Sequence, residues 1–266
     1  MLKSTTLLLA SSISVSVLAQ PVLLTELESG DNWLETNYEK VSEDIKRYSE
    51  GNNDSFSKIH TESFGLTGLT VFSTKGVFRP FIKAGVIHKE RMNSDTEVFS
   101  LSTGALFEYY DSKKAHASLG FNKSDNKVEI RNSIDTSISF QTTNIDSSIK
   151  NQLTFATSYL GKFNSVEGGH TFNITNKAKC PLASKVDLVA TIGMILTSDL
   201  DSPLNTYDSD PEYSLGIDIN IHPIKDITIV FSLQQSNGGG TIEFDTTEVN
   251  IDQDNTVSTV ALISRF

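Results

Sequence analysis

The chain has 266 residues, a formal net charge of −11, 38% hydrophobic residues and a single cysteine. An acidic balance of this size argues against nucleic acid and anionic headgroups as partners, and one cysteine excludes an internal disulfide framework. Past residue 19 no apolar run approaches the roughly twenty residues that a membrane helix needs.

Residues 1 to 19 combine Lys3, an uncharged stretch rich in Leu, Val and Ser from Ser4 to Leu18, and a Val17-Leu18-Ala19 ending. Small residues at the third and first positions before a cut suit signal peptidase. A secretory signal cleaved after Ala19 is therefore expected, with residues 20 to 266 as one domain. No cysteine follows the cut, so no lipoprotein anchor is indicated.

The remaining chain parses into twelve expected strands: 32 to 41, 61 to 72, 77 to 89, 97 to 110, 115 to 123, 127 to 141, 147 to 159, 165 to 174, 185 to 197, 212 to 221, 227 to 236 and 256 to 266. The clearest is Val128 to Gln141. Its even positions are mainly apolar (Val128, Ile130, Ile134, Ile138, Phe140), and its odd positions are all polar (Glu129, Arg131, Ser133, Asp135, Ser137, Ser139, Gln141). Strict alternation marks a strand with one apolar and one wet face. The next strand repeats it with reversed parity, Leu153, Phe155 and Tyr159 opposing Lys150, Gln152 and Thr154. Strands 97 to 110, 185 to 197 and 212 to 221 carry the same two faces.

Such a face could be buried in a soluble sandwich or turned onto lipid. The connections separate the two. Short turns at 73 to 76, 111 to 114, 142 to 146 and 222 to 226 alternate with a set that includes polar loops at 42 to 60, 198 to 211 and 237 to 255; a connection around Cys180-Pro181 is longer. Cys180 reads as an isolated turn thiol. Short turns on one rim and longer loops on the other are the habit of membrane barrels. A closed barrel is also the only strand architecture that satisfies every backbone group in lipid.

The last strand ends Val260-Ala261-Leu262-Ile263-Ser264-Arg265-Phe266. This resembles the C-terminal assembly signal of bacterial outer-membrane β-barrels, with Val260, Leu262 and Phe266 matching and Ser264 standing where an apolar residue is usual. Val77 to Val86 also resembles the Arg-Pro-aromatic strand of small outer-membrane barrels. The resemblance implies an all-β, closed antiparallel transmembrane barrel of about twelve strands in the outer membrane. Its implied partners are outer-membrane lipid and lipopolysaccharide, with the barrel-assembly machinery acting during insertion.

Chemistry is sparse. The five histidines at 60, 88, 116, 170 and 222 show no zinc spacing, and the carboxylates of 199 to 212 and 252 to 254 lack the pattern of an EF-hand loop. Gly238-Gly239-Gly240 reads as a flexible loop tip. No catalytic residue, metal site or cofactor is expected, and the chain is not read as an enzyme. Strand parity places Arg79, Lys83, Glu108, Glu129, Arg131, Asp135, Lys150, Glu167, Asp187 and Asp218 on the lumen wall, together with Glu35, Glu39 and Arg265. A monomeric porin-like channel for small hydrophilic solutes or ions is expected. The alternative is a plugged structural or adhesive barrel whose acidic loops bind a surface partner.

Overall fold

The computed structural model describes residues 27–48, 55–74, 77–91, 94–110, 113–125, 130–143, 148–161, 168–198, 200–202, 205–244 and 247–266. Residues 1 to 19, the expected leader, lie outside them, as do Glu129 and Glu167. The strands are β1 (Asn32–Tyr48), β2 (Ser55–Val71), β3 (Phe78–Arg91), β4 (Ser94–Tyr110), β5 (Lys113–Asp125), β6 (Ile130–Thr143), β7 (Lys150–Leu160), β8 (Gly169–Ala183), β9 (Val186–Thr197), β10 (Leu200–Ser202), β11 (Asn205–Ser209), β12 (Glu212–Ile224), β13 (Ile227–Phe244) and β14 (Thr247–Arg265). Consecutive strands pair antiparallel from β1 to β9. The sheet continues through β12, β13 and β14, and β14 closes on β1 with Trp33 opposite Arg265. Twelve strands thus form a closed barrel, and β10 and β11 add a small hairpin to the upper part of β13.

Burial inverts the order of a soluble protein. Leu215 is 63% exposed and Ile192 59%, whereas Glu35 is 6% exposed, Gln141 3% and Ser139 0%. A sandwich would bury the aliphatic face and wet the polar one. Here the aliphatic face forms a continuous outer belt around a polar interior, which defines a membrane-spanning barrel. In β6, Ile134, Ile138 and Phe140 point outward while Asp135, Ser137, Ser139 and Gln141 point inward, as the alternation requires.

All twelve expected barrel strands are present, but several connections are not loops. Much of 42 to 60 continues β1 and β2, and nearly all of 237 to 255 continues β13 and β14 as a ladder running from Tyr213↔Asn237 height up to Phe244↔Thr247. In these extensions the outer face is polar, with Asp44 and Lys46 on β1 and Asp252 and Asp254 on β14, so hydrogen-bonded strands continue there without the outward apolar stripe that reveals them in a sequence. The 198 to 211 segment contains β10 and β11. At the other rim β8 runs through Cys180 and Pro181 to Ala183, which leaves Ser184 and Lys185 as the turn; Cys180 is a strand residue facing outward.

The three glycines at 238 to 240 are likewise part of β13. Between the pairs Tyr213↔Asn237 and Ser209↔Gly240, the β11–β12 side advances one residue more than β13. This bulge reverses the parity of β11 and turns Tyr207 inward, where its hydroxyl donates to Gly239 O at 3.0 Å. A side chain at Gly239 would collide with Ile251 O on β14, so the close approach needs glycine.

The barrel interior as candidate functional site

Three layers fill the interior. At the short-turn end Leu27, Trp33, Leu69, Val71, Phe81, Leu106, Val230, Ala261 and Ile263 form one buried apolar cluster. All except Leu27 occupy the inward parity of strand ends, and Leu27 enters from the segment before β1. That segment is fastened to β2, with Gly30 N donating to Val71 O at 3.1 Å and Val71 N to Asp31 O at 2.8 Å. Beside the cluster, Arg79 pairs with Glu108 at 3.5 Å, and its guanidinium donates to Leu27 O at 3.4 Å. The polar interior expected from parity is therefore corrected on this side of the short-turn end: inward positions of β1 to β4, β13 and β14 pack there as an apolar core, whereas β8, β9 and β12 keep Lys179, Asp187 and His222.

The middle layer is polar. Glu35 lies within electrostatic reach of Lys83 and Lys177, and Lys177 within reach of Asp218, so charges from β1, β3, β8 and β12 face one another across the lumen. Asp218 accepts from Ser232 Oγ at 2.6 Å. Asp135 accepts from Asn122 and Ser158. Ser118 and Ser137 share a hydrogen bond of 2.7 Å, and Ser137 meets His116 Nε2 at 3.3 Å. This layer holds a cavity of about 210 Å³ whose lining includes Glu35, Glu39, Lys83, Lys89, Asp135 and the hydroxyls of β4 to β7; Lys177, Asp218 and His116 lie outside that lining.

Higher up, Arg91 reaches over β2 to Glu43 at 3.1 Å. On β2 the pair passes between the levels of Thr61, which stands beside Arg91, and Ile59, which stands beside Glu43. Above this pair Ile45, Ile242 and Ile251 form a second buried apolar cluster, with Ile59 and Tyr207 packed against it.

The residues picked from sequence are spread over this interior. Lys83 and Asp135 border the cavity. Arg79 and Glu108 pair near the base. Asp187 lies at the short-turn rim, bonded to Lys179 and to His222 Nε2 at 3.0 Å each, while His222 Nδ1 meets Thr228 at 3.0 Å. Lys150 begins β7 opposite Thr143 and Lys179. The backbone of Arg131 pairs with Ser124. Val260, Leu262 and Phe266 all face outward at the end of β14. Sequence reading missed Lys89, Lys177, Glu43 and Arg91. Lys89 shares the parity of Lys83, so alternation could have found it; the other three lie beyond the expected strand ends.

A closed, apolar-belted barrel with a polar lumen is the architecture of outer-membrane β-barrels. The fold comparison agrees. An outer membrane channel from Pseudomonas putida F1 superposes with a TM-score of 0.63 at 10% identity, covering 90% of this chain and 97% of that one. The transport unit of the autotransporter AIDA-I from Escherichia coli gives 0.54 at 9% identity, over 92% and 93%. The toluene transporter TodX of Pseudomonas putida gives 0.51 at 9% identity, over 91% and 92%. No protein-family model matches the sequence, and no curated protein matches it. At these identities the likeness establishes a shared fold, that of bacterial outer-membrane barrels.

Proposed function

We propose that the protein is a narrow outer-membrane channel for small hydrophilic solutes, closed at its short-turn end in this conformation. The observation that carries the reading is the central cavity, lined by carboxylates, ammonium groups, amides and hydroxyls. Buried charge in a barrel calls for water or for polar partners, and a polar solute supplies the same hydrogen bonds. One fold neighbour is a toluene transporter. This lining suits hydrocarbons poorly, so the reading favours polar cargo. Twelve strands also lie between the side-chain-filled barrels of eight and the open ones of about sixteen.

Passage requires the base cluster around Trp33 and Phe81 to part. The second reading, a plugged structural barrel, is favoured by that same cluster. On either reading the belt meets lipid and lipopolysaccharide, Val260, Leu262 and Phe266 present the assembly signal, and the protein acts by transport or binding rather than catalysis.

The test is single-channel recording of the purified, folded barrel in a planar bilayer, with liposome swelling in a size series of sugars and amino acids. Discrete steps and uptake of the smallest polar solutes are expected. A silent barrel that admits none of them transfers the assignment to the plugged reading.

A further inference from the structure

Asn176 points outward from β8, midway between His170 and Leu182, with Leu153 and Ile192 as its cross-strand neighbours. It is exposed, and no described residue makes a hydrogen bond to its side chain. Elsewhere on this wall the outward hydroxyls of Thr136 and Thr157 satisfy each other at 3.3 Å. Asn176 has no such companion. An amide facing hydrocarbon without a partner is costly, because lipid tails neither donate nor accept.

The surface beside it is shaped. Toward β7, Phe155 and Phe172 stack with ring centroids 6.5 Å apart and make a ridge. From Asn176 itself toward β9, β12 and β13 the wall is hollowed by about 790 Å³, lined by Ile192, Met194, Tyr213, Leu215 and Gln235 and reaching Asp254 and Thr256 of β14. Next along the strand Ala178 pairs with Ala190, so little side-chain bulk holds a neighbour away.

We propose that this face docks a second copy of the chain, related by a two-fold axis along the membrane normal that passes near Asn176. A half-turn about that axis sets the two Asn176 amides against each other, and a carboxamide is its own complement, with a donor and an acceptor. The same operation places the Phe155–Phe172 ridge of each copy beside the hollow of the other, since ridge and hollow lie on opposite sides of the axis. Self-complementarity of this kind is what an isologous contact requires. An acyl chain could fill the hollow but leaves the amide unsatisfied. This proposal departs from the monomer expected from sequence, where the eighth strand was expected to stop at residue 174, short of Asn176.

The experiment is oxidative crosslinking in native outer membranes. An Asn176→Cys/Cys180→Ser variant treated with copper phenanthroline should give a disulfide-linked dimer. A Leu66→Cys/Cys180→Ser variant, with the thiol on β2 across the barrel, should stay monomeric. If the thiol introduced at 176 takes up a lipid-soluble maleimide yet forms no dimer, or if both positions crosslink equally, the proposal is overturned. Sedimentation under reducing conditions gives an independent reading: wild type should self-associate in mild detergent, Asn176→Gln should retain most of that, and Asn176→Leu should weaken it at least tenfold. A wild type that is monomeric at every concentration, with lipid in the hollow by native mass spectrometry, also overturns it.

Discussion

The ring of Phe81 lies against the backbone of Gly104 on the inner wall, so that a β-carbon added at Gly104 would stand 2.8 Å from the ring and also collide with Ala117 O. Gly104 is the space into which the base cluster packs its aromatic wedge. Gly104→Ala should therefore destabilise the barrel by about 1–3 kcal/mol, the range for overpacking, measured by urea unfolding in lipid vesicles. Gly120→Ala, whose added carbon meets its nearest neighbour at 3.3 Å, should cost less. Combining Phe81→Leu with Gly104→Ala should recover part of the loss, since contacting residues couple.

Trp33 is 3% exposed at the centre of the same cluster. Truncating it removes both the plug and its packing. Trp33→Ala should raise conductance above wild type and lower unfolding free energy by roughly 3–5 kcal/mol. Bilayer recording and urea unfolding measure the two effects separately; a loss of stability with unchanged conductance places the constriction elsewhere.

The Glu43–Arg91 pair clamps β1 to β3 across β2 at the level of Thr61 and Ile59. Glu43→Gln keeps the shape and removes the carboxylate that the Arg91 guanidinium meets at 3.1 Å, which should cost on the order of 1–3 kcal/mol. Thr61→Leu, at the β2 position directly beside Arg91, should be at least as harmful. Unfolding midpoints of the two variants test this, with Lys40→Gln, from an exposed pair on the outer face, as a control expected to shift little.

Lys83 and Lys89 supply positive charge to the cavity wall. Replacing either by Gln should shift an open channel toward cations, and the shift should shrink as salt rises, because charges act over about 10 Å at 0.1 M. Ile134→Val, on the lipid face, should leave selectivity unchanged. Reversal potentials under a salt gradient give the answer.

Orientation follows from the tall rim. Cysteines at Lys58 or Asp252, in a Cys180→Ser background, should react with an impermeant reagent on whole cells, and one at Lys225 in a short turn should not. The reverse pattern would invert the barrel.

Much of this architecture is legible in the sequence because alternation is a local property: a strand's backbone sends neighbouring side chains to opposite faces whatever surrounds it. Ile134 and Asp135 could be assigned to opposite faces from their spacing alone. What lacks a local signature was invisible. The upper parts of β1, β2, β13 and β14 turn a polar face outward, so they carry no outward apolar stripe and read as loops until the ladder is seen. Tyr207 faces inward only because a bulge opposite Gly238 to Gly240 shifts the parity by one residue. The meeting of Glu35 with Lys83 and Lys177, and of Phe81 with Gly104, depends on barrel closure and register. Closure joins residues far apart in the chain, and no short-range pattern records which strand will stand across the lumen.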